Sequence, residues 1–329
     1  LKPLLVLNVA AQGWIMPTTR RQLLAFIGSG FLARLAGKPV PSFDVDRLVE
    51  AGERPDSRME MRKYTANATV MLFSIPLVSK ARVGSGYAVV EQAGNTQSIQ
   101  FGAGSYPENA RGLNRLGFIQ EAVVEEAPGK PAECAWLAFM TTSQEKNLDQ
   151  AKKALEASGA MVPYSASQGY GKQGRFRSRV DRLEFSSKYT WRNIERLVEE
   201  ARGTMNSLTG DEAPAGEGGR PATFLYLVRR AMLDSRTRTS SLLVFNGKEF
   251  QLDAEKTPDG KLTRLNAMLT EKKTGIRTPF RLWFEAGQDG LPVRFEYQAK
   301  SFLRLTFEAD AAATAPPIRL AFKGVKENS

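Results

Sequence analysis

Between residues 293 and 308 the chain alternates two kinds of side chain. Val293, Phe295, Tyr297, Leu303, Leu305 and Phe307 share one parity, and Arg294, Glu296, Gln298, Arg304, Thr306 and Glu308 share the other. Successive side chains on a strand point to opposite faces, so this pattern specifies strands with one apolar face. An apolar face of that kind needs another layer, or the curl of its own sheet, to cover it. The chain must therefore build a one-sided antiparallel sheet and something to pack against it.

The same signal recurs upstream. Residues 58–73 read as a strand with Tyr64, Ala66, Ala68, Val70 and Leu72 on one face, and 79–92 as its return. Ser74-Ile75-Pro76-Leu77 is expected to form the corner between them, because proline cannot donate to a ladder. Gly84 and Gly86 permit a bulge or a close backbone approach. Further strands are expected at 98–101, 118–124, 135–141 and 175–185, with 159–174 read as a loop rich in Gly, Ser and Tyr. Asn246-Gly247 marks a tight hairpin and Thr257-Pro258-Asp259-Gly260 a second turn. Phe280, Leu282 and Phe284 alternate in a later strand.

Three helices interrupt the strands. Residues 143–157 carry Leu148, Ala151 and Leu155 as a stripe. In 187–202, Trp191, Ile194, Leu197, Val198 and Ala201 recur near the helical period, and Gly203 is expected to stop that helix. The third runs over 220–233, with Pro221 in its first turn and Phe224, Leu225, Leu227, Val228, Ala231 and Met232 buried. The expected fold is mainly β (α+β). It is a large curved antiparallel sheet or incomplete barrel, possibly two sheets, covered by two or three helices. The expected divisions are a leader (1–42), a β-rich half (43–209), a Gly-rich linker (210–219), a helix-plus-meander half (220–310) and a tail (311–329), where 318–322 would add a short strand.

The leader bears on where the chain works. Residues 1–42 hold five basic side chains, Lys2, Arg20, Arg21, Arg34 and Lys38, and no acid. Arg20-Arg21 stands before a mildly apolar run, 23–33, which is too short to span a bilayer needing about 20 apolar residues. This arrangement resembles a twin-arginine export signal and implies a periplasmic location, with a weak tether if the leader is retained. Met16 would start a leader of ordinary length, which sets residues 1–15 outside the fold.

Net charge is +11, from 46 basic and 35 acidic residues. Setting the five leader bases aside leaves 41 against 35, or +6, which is weak for a nucleic-acid binder. No nucleic-acid partner is expected. Peripheral attraction to an anionic membrane is compatible with that charge. The chain has no histidine and one cysteine, Cys134, in an apolar stretch. Histidine-based triads, histidine or thiolate zinc sites and intrachain disulfides are thereby excluded. No metal or other cofactor is expected, and any catalysis would rest on carboxylates, lysine, tyrosine or a serine–lysine pair.

Several segments also carry a family resemblance. The helix around Phe224 to Leu233, the hairpin Leu243-Val244-Phe245-Asn246-Gly247-Lys248-Glu249-Phe250, and Leu282-Trp283-Phe284 followed by Gly290-Leu291-Pro292-Val293-Arg294 resemble an uncharacterised family of exported bacterial β-sheet proteins. That family, a domain of unknown function, is similar in architecture to periplasmic lipoprotein carriers. The strand pair near 64–73 and 78–92 fits its opening hairpin. This chain departs from the pattern by inserting two helices and a glycine-rich loop between the halves. The resemblance implies a strongly curved, incomplete sheet wrapping a helix or an apolar ligand, and supplies no catalytic residue.

Two groups of side chains are candidate ligand contacts. Arg175, Arg177 and Arg179 would share one strand face at spacings of about 7 Å, suited to phosphate, lipid headgroups or acidic polysaccharide. A solvated, salt-bridged face that keeps an edge strand soluble is the plainer use of the same residues. Trp191 and Trp283 either belong to the core or line a cavity between sheet and helix. The expected function is an exported, non-enzymatic envelope protein holding a lipid, another hydrophobic ligand or an envelope component. The rivals are a carboxylate enzyme acting on envelope polysaccharide and a basic nucleic-acid-binding protein.

Overall fold

A computed structural model describes residues 58–72, 75–110, 112–142, 160–172, 175–207, 221–285, 291–300 and 303–310. The expected leader, the helix at 143–157, the linker at 210–219 and the tail lie outside the described residues.

Thirteen strands form one antiparallel sheet, in the order β7-β6-β5-β4-β3-β2-β1-β13-β12-β11-β10-β9-β8. The first seven are β1 (Arg58–Leu72), β2 (Ile75–Ala93), β3 (Thr96–Ser105), β4 (Leu116–Ala127), β5 (Lys130–Thr141), β6 (Met161–Lys172) and β7 (Arg175–Ser186). A single-turn 3-10 helix (Trp191–Asn193) leads into α1 (Ile194–Ser207), and α2 (Phe224–Leu233) follows. The remaining strands are β8 (Arg238–Phe245), β9 (Lys248–Asp259), β10 (Leu262–Glu271), β11 (Arg277–Glu285), β12 (Arg294–Lys300) and β13 (Leu303–Ala309). Two meanders are joined by β1 and β13, which pair from Tyr64↔Ala309 to Val70↔Leu303. The β-rich, curved-sheet expectation is met by one sheet rather than two.

The two faces pack against different helices. The inner face carries Tyr64, Ala66, Ala88, Val90, Ile99, Val123, Trp136, Leu252, Leu265, Leu282 and Phe307, and joins α2 in one core. The outer face of β2 and β4 to β7 carries Tyr87, Val89, Phe118, Phe139, Tyr164 and Phe185, and packs under α1 in a second core. The sheet curls until side chains from its two ends meet. Trp136 on β5 lies tilted against Phe245 of β8, with ring centroids 5.2 Å apart. Ser167 on β6 receives the Trp136 indole N–H at 3.0 Å and itself bonds Asn246 in the β8–β9 turn. Among the described residues no backbone ladder joins β7 to β8; the side-chain contacts between the two ends run from β5 and β6 to β8 and its turn.

Five local expectations change. Residues 161–172 are a strand, because Gly169 and Gly171 are bare patches that admit large neighbours: a Cβ on Gly169 would lie 1.9 Å from the Trp136 ring, and one on Gly171 2.7 Å from Phe176. Ile75, Pro76 and Leu77 begin β2 instead of making a corner, since Pro76 pairs with Met71 on a ribbon whose other edge is bare. Gly203 lies inside α1, which continues because Ala201 and Met205 are both core residues. Pro221 precedes α2, whose N-cap is Thr223. Asn246 (φ 53°) and Gly247 (φ 67°) make the expected hairpin turn, whereas Thr257, Pro258 and Asp259 stay in β9 and the chain reverses at Gly260.

Candidate functional site

Three polar constellations sit on this frame. The first fixes α2 inside the sheet. Glu121 occupies an inward-facing position of β4 and is wholly buried beneath the first turn of α2, where it accepts the Tyr226 backbone N–H at 3.1 Å. Burial pushes its carboxyl up to about 7; the Leu225, Tyr226 and Phe224 backbone groups and the Thr223 hydroxyl pull the other way without prevailing. The Tyr226 hydroxyl bonds Glu125, one turn of the pleat further along β4. Phe224 meets Phe280 of β11 edge-on at 5.5 Å, so α2 bridges both halves of the sheet. Glu121 is thus committed to helix N–H groups that would otherwise lack partners. Sequence reading missed it; the signal was an acid inside an apolar strand, between Ile119 and Val123.

The second constellation contains most of the sequence candidates. Arg177 and Arg179 share the outer face of β7, opposite Tyr170 and Gln168 of β6, and Arg175, paired through its backbone with Lys172, begins the strand. β7 ends the sheet order, as an edge-protecting role for the triplet requires. Arg179 pairs with Asp181 and donates at 3.0 Å to the Met205 carbonyl in the last turn of α1, where orphan carbonyls and the helix dipole favour a cation. Trp191 is on this same outer face but at β2 and β3. It lies against Tyr87 (5.7 Å) and over Gly102 and Gly104, where a Cβ on Gly104 would come within 2.8 Å of the indole. Trp191 is a buried core residue of the α1 layer. The structure does not bring Trp191 and Trp283 together, because they belong to opposite halves of the sheet.

Trp283 anchors the third constellation, on the outer face of β10 to β13. Its indole N–H donates to Asp259 at 2.8 Å, and the Arg294 guanidinium lies 4.7 Å over its ring. Arg294 bonds Glu296, a carboxylate almost fully enclosed by its neighbours. Arg281 of β11 and Arg304 of β13 approach the same carboxylate at 3.7 and 3.9 Å. Those two distances are within ion-pairing reach, yet neither arginine hydrogen-bonds Glu296. Three guanidinium groups therefore share one carboxylate. The Nε atoms of Arg294 and Arg304 are enclosed without a partner. The alternation at 293–308 exposed the parity of Arg294, Glu296 and Arg304, but the cluster depends on strand register, which the sequence pattern left open. Among the described residues no three His, Cys, Asp or Glu side chains form a metal-binding group.

Comparison with known proteins bears on architecture alone. No family model matches the sequence, and no curated protein matches it. Among solved structures the chain is similar to a β-barrel-like protein of a domain of unknown function, DUF1849, from Brucella abortus. The match has a TM-score of 0.33 and 9% identity, and covers 77% of this chain and 95% of that one. At that distance it assigns no residue and no role.

Proposed function

We propose that this is an exported, non-enzymatic cell-envelope protein whose curled sheet holds a hydrophobic ligand or an apolar segment of another envelope component on its inner face. One observation carries the reading: the inner face is apolar across strands from both halves of the sheet, and among the described residues its two ends meet through the side chains of Trp136, Phe245, Ser167 and Asn246 with no ladder between β7 and β8. A seam without a ladder opens by rotating side chains, at far lower cost than parting a strand pair. Within that core Tyr64 and Phe307 are buried, and Phe101 and Phe295, packed against them and only partly buried, are the rings an acyl chain would meet. Export rests on Arg20-Arg21 ahead of the apolar run.

Native mass spectrometry of the protein after mild extraction tests the ligand. A co-purifying lipid-sized mass is expected, lost when Phe101→Glu places a charge on the inner face; a protein free of adducts from every extraction refutes the carrier. Fractionation tests export. The pair Arg20→Lys and Arg21→Lys should strand the protein in the cytoplasm, and unchanged residence refutes it.

A further inference from the structure

The β1–β2 hairpin is longer than its neighbours. β3 pairs with β2 only over 84–93, and β13 pairs with β1 only over 64–70. Residues 75–82 of β2 therefore run beside β1 alone, and every one of them is exposed. At the far end stand Ile75, Leu77 and Val78, exposed by 63%, 51% and 48%. These are three of the seven large apolar side chains exposed among the described residues, gathered on one projection. Lys80 and Arg82 follow on the same strand.

The projection is braced at its root. The register shifts between Ala66 and Ala68, where Gly84 and then Lys80 are the partners, so β2 bulges opposite Asn67. Arg82 takes up the bulge in the left-handed region (φ 54°), and its N–H is held by the Asn67 side chain at 2.9 Å. Asn109 donates to the Arg82 carbonyl at 3.0 Å, and Asn67 also donates to Glu308 at 3.2 Å. The ribbon is thus tied to β13 and to the segment after β3.

The arginine cluster lies at the same end. Arg304 is opposite Thr69, and Leu72, three residues further along β1, is opposite Ile75. At about 3.4 Å per residue Arg304 stands roughly 10 Å behind the apolar tip, Arg281, level with Asn67, roughly 17 Å, and Arg294, level with Thr65, roughly 24 Å. Arg281, Arg294 and Arg304 share Glu296, and Glu308 lies opposite Arg294; with Lys80 and Arg82 that makes five basic side chains against two carboxylates. An apolar point with Arg304 and then Arg281 set back behind it matches the layering of an anionic bilayer, acyl chains beneath phosphates.

We propose that the β1–β2 ribbon docks the protein on an anionic lipid surface, with Ile75, Leu77 and Val78 entering the interface while Arg304, Arg281, Lys80 and Arg82 engage lipid phosphates. The inference stands whether or not the inner face carries a ligand. The test is co-sedimentation of the full chain with phosphatidylcholine vesicles and with vesicles containing about one-third phosphatidylglycerol. Every comparison keeps the leader, so any contribution from it cancels. The wild type should bind the anionic vesicles more tightly, and 0.5 M salt should weaken that binding (a roughly twofold shorter screening length than at 0.1 M). Arg281→Gln with Arg304→Gln should weaken it by about 25-fold, taking roughly fivefold per basic side chain. Leu77→Ser with Val78→Ser, at exposed positions that leave the fold intact, should reduce binding to both vesicles. A fluorophore on Leu77→Cys should shift to the blue on anionic vesicles.

Binding without that shift overturns the proposal, because another element then makes the contact. Equal binding by the variants, or no preference for anionic vesicles, also overturns it. Release of the protein by millimolar inorganic phosphate at constant ionic strength identifies a site for soluble anions instead. A dimer that forms without vesicles and is lost in the Leu77→Ser, Val78→Ser variant identifies the ribbon as a self-association edge.

Discussion

Replacing Glu121 by Gln separates two opposed effects at the seat of α2. Burial disfavours the carboxylate, whereas the helix N–H groups and the dipole favour it. Burial prevails in this structure: the carboxyl rises from 4.5 to about 7. The folded protein then holds a proton that the unfolded chain has released across that interval. Stability from this group is fully present below pH 4.5, falls as pH rises, and is lost above about pH 7. At 1.36 kcal/mol per pKa unit, the shift corresponds to about 3 kcal/mol. Glu121→Gln keeps an oxygen for the Tyr226 N–H and removes the titration. Urea unfolding from pH 4.5 to 8.5 should show the variant gaining about 3 kcal/mol on the wild type as pH rises, with all other titrating groups cancelling in the difference. A flat difference would show that water reaches the carboxyl. A difference of opposite sign would show that the helix N-terminus outweighs burial, and either result refutes the reasoning.

Three further outcomes follow from the packing. Gly169→Ala puts a methyl into the Trp136 ring, so Trp136 must leave Phe245 and Ser167; a loss of about 2 kcal/mol and a red shift in tryptophan emission are expected, and unchanged emission would mean the seam tolerates the methyl. Arg179→Met keeps the aliphatic stem and removes the donor to the Met205 carbonyl, which should cost about 1–2 kcal/mol by urea titration while leaving vesicle binding unchanged. Cys134 is buried, and its thiol is pushed far above the ordinary range first by desolvation and then by Glu121; maleimide should modify it only in denaturant, which also keeps a label on Leu77→Cys selective.

Alternation revealed the face of each strand in the second half of the sheet, because there one side packs against α2 and the other meets water. It failed at 159–174 for a physical reason. Ser165, Ser167, Gly169 and Gly171 point inward from β6, and their small size is what lets Trp136 and Phe176 lie flat on the wall. A strand whose inner face is small reads as a loop when the large partner is on another strand. Gly203 misled in the opposite way. A Cβ there would meet nothing within 4 Å, and the core contacts of Ala201 and Met205 carry α1 past it. Trp191 and Trp283 were visible as bulky anchors, but only register shows that one lies beneath α1 and the other beneath Arg294.

The pairing of β1 with β13 explains why the most distinctive surface is also the least local. Tyr64 and Ala309 are partners although 245 positions separate them, and the middle of the sheet is built from strands at opposite ends of the described chain. The sheet's two ends, β7 and β8, instead come from the middle of the chain, where the segment carrying α1 and α2 must pass from one end to the other. That crossing puts α1 outside, under which Arg179 serves as a cap, and α2 inside, over Glu121. The same closure sets Arg304 beside Thr69 and so brings the arginines behind the apolar ribbon. Loop-closure entropy makes so distant a pair costly to form before the meanders that present it. The ribbon and the arginine cluster thus become one surface only when the two meanders dock. Thr69→Pro, which removes a ladder donor at that junction, should therefore weaken vesicle binding while leaving each apolar and basic side chain in place. If binding survives while the β1–β13 pairing is lost by hydrogen exchange, the ribbon and the arginines act separately.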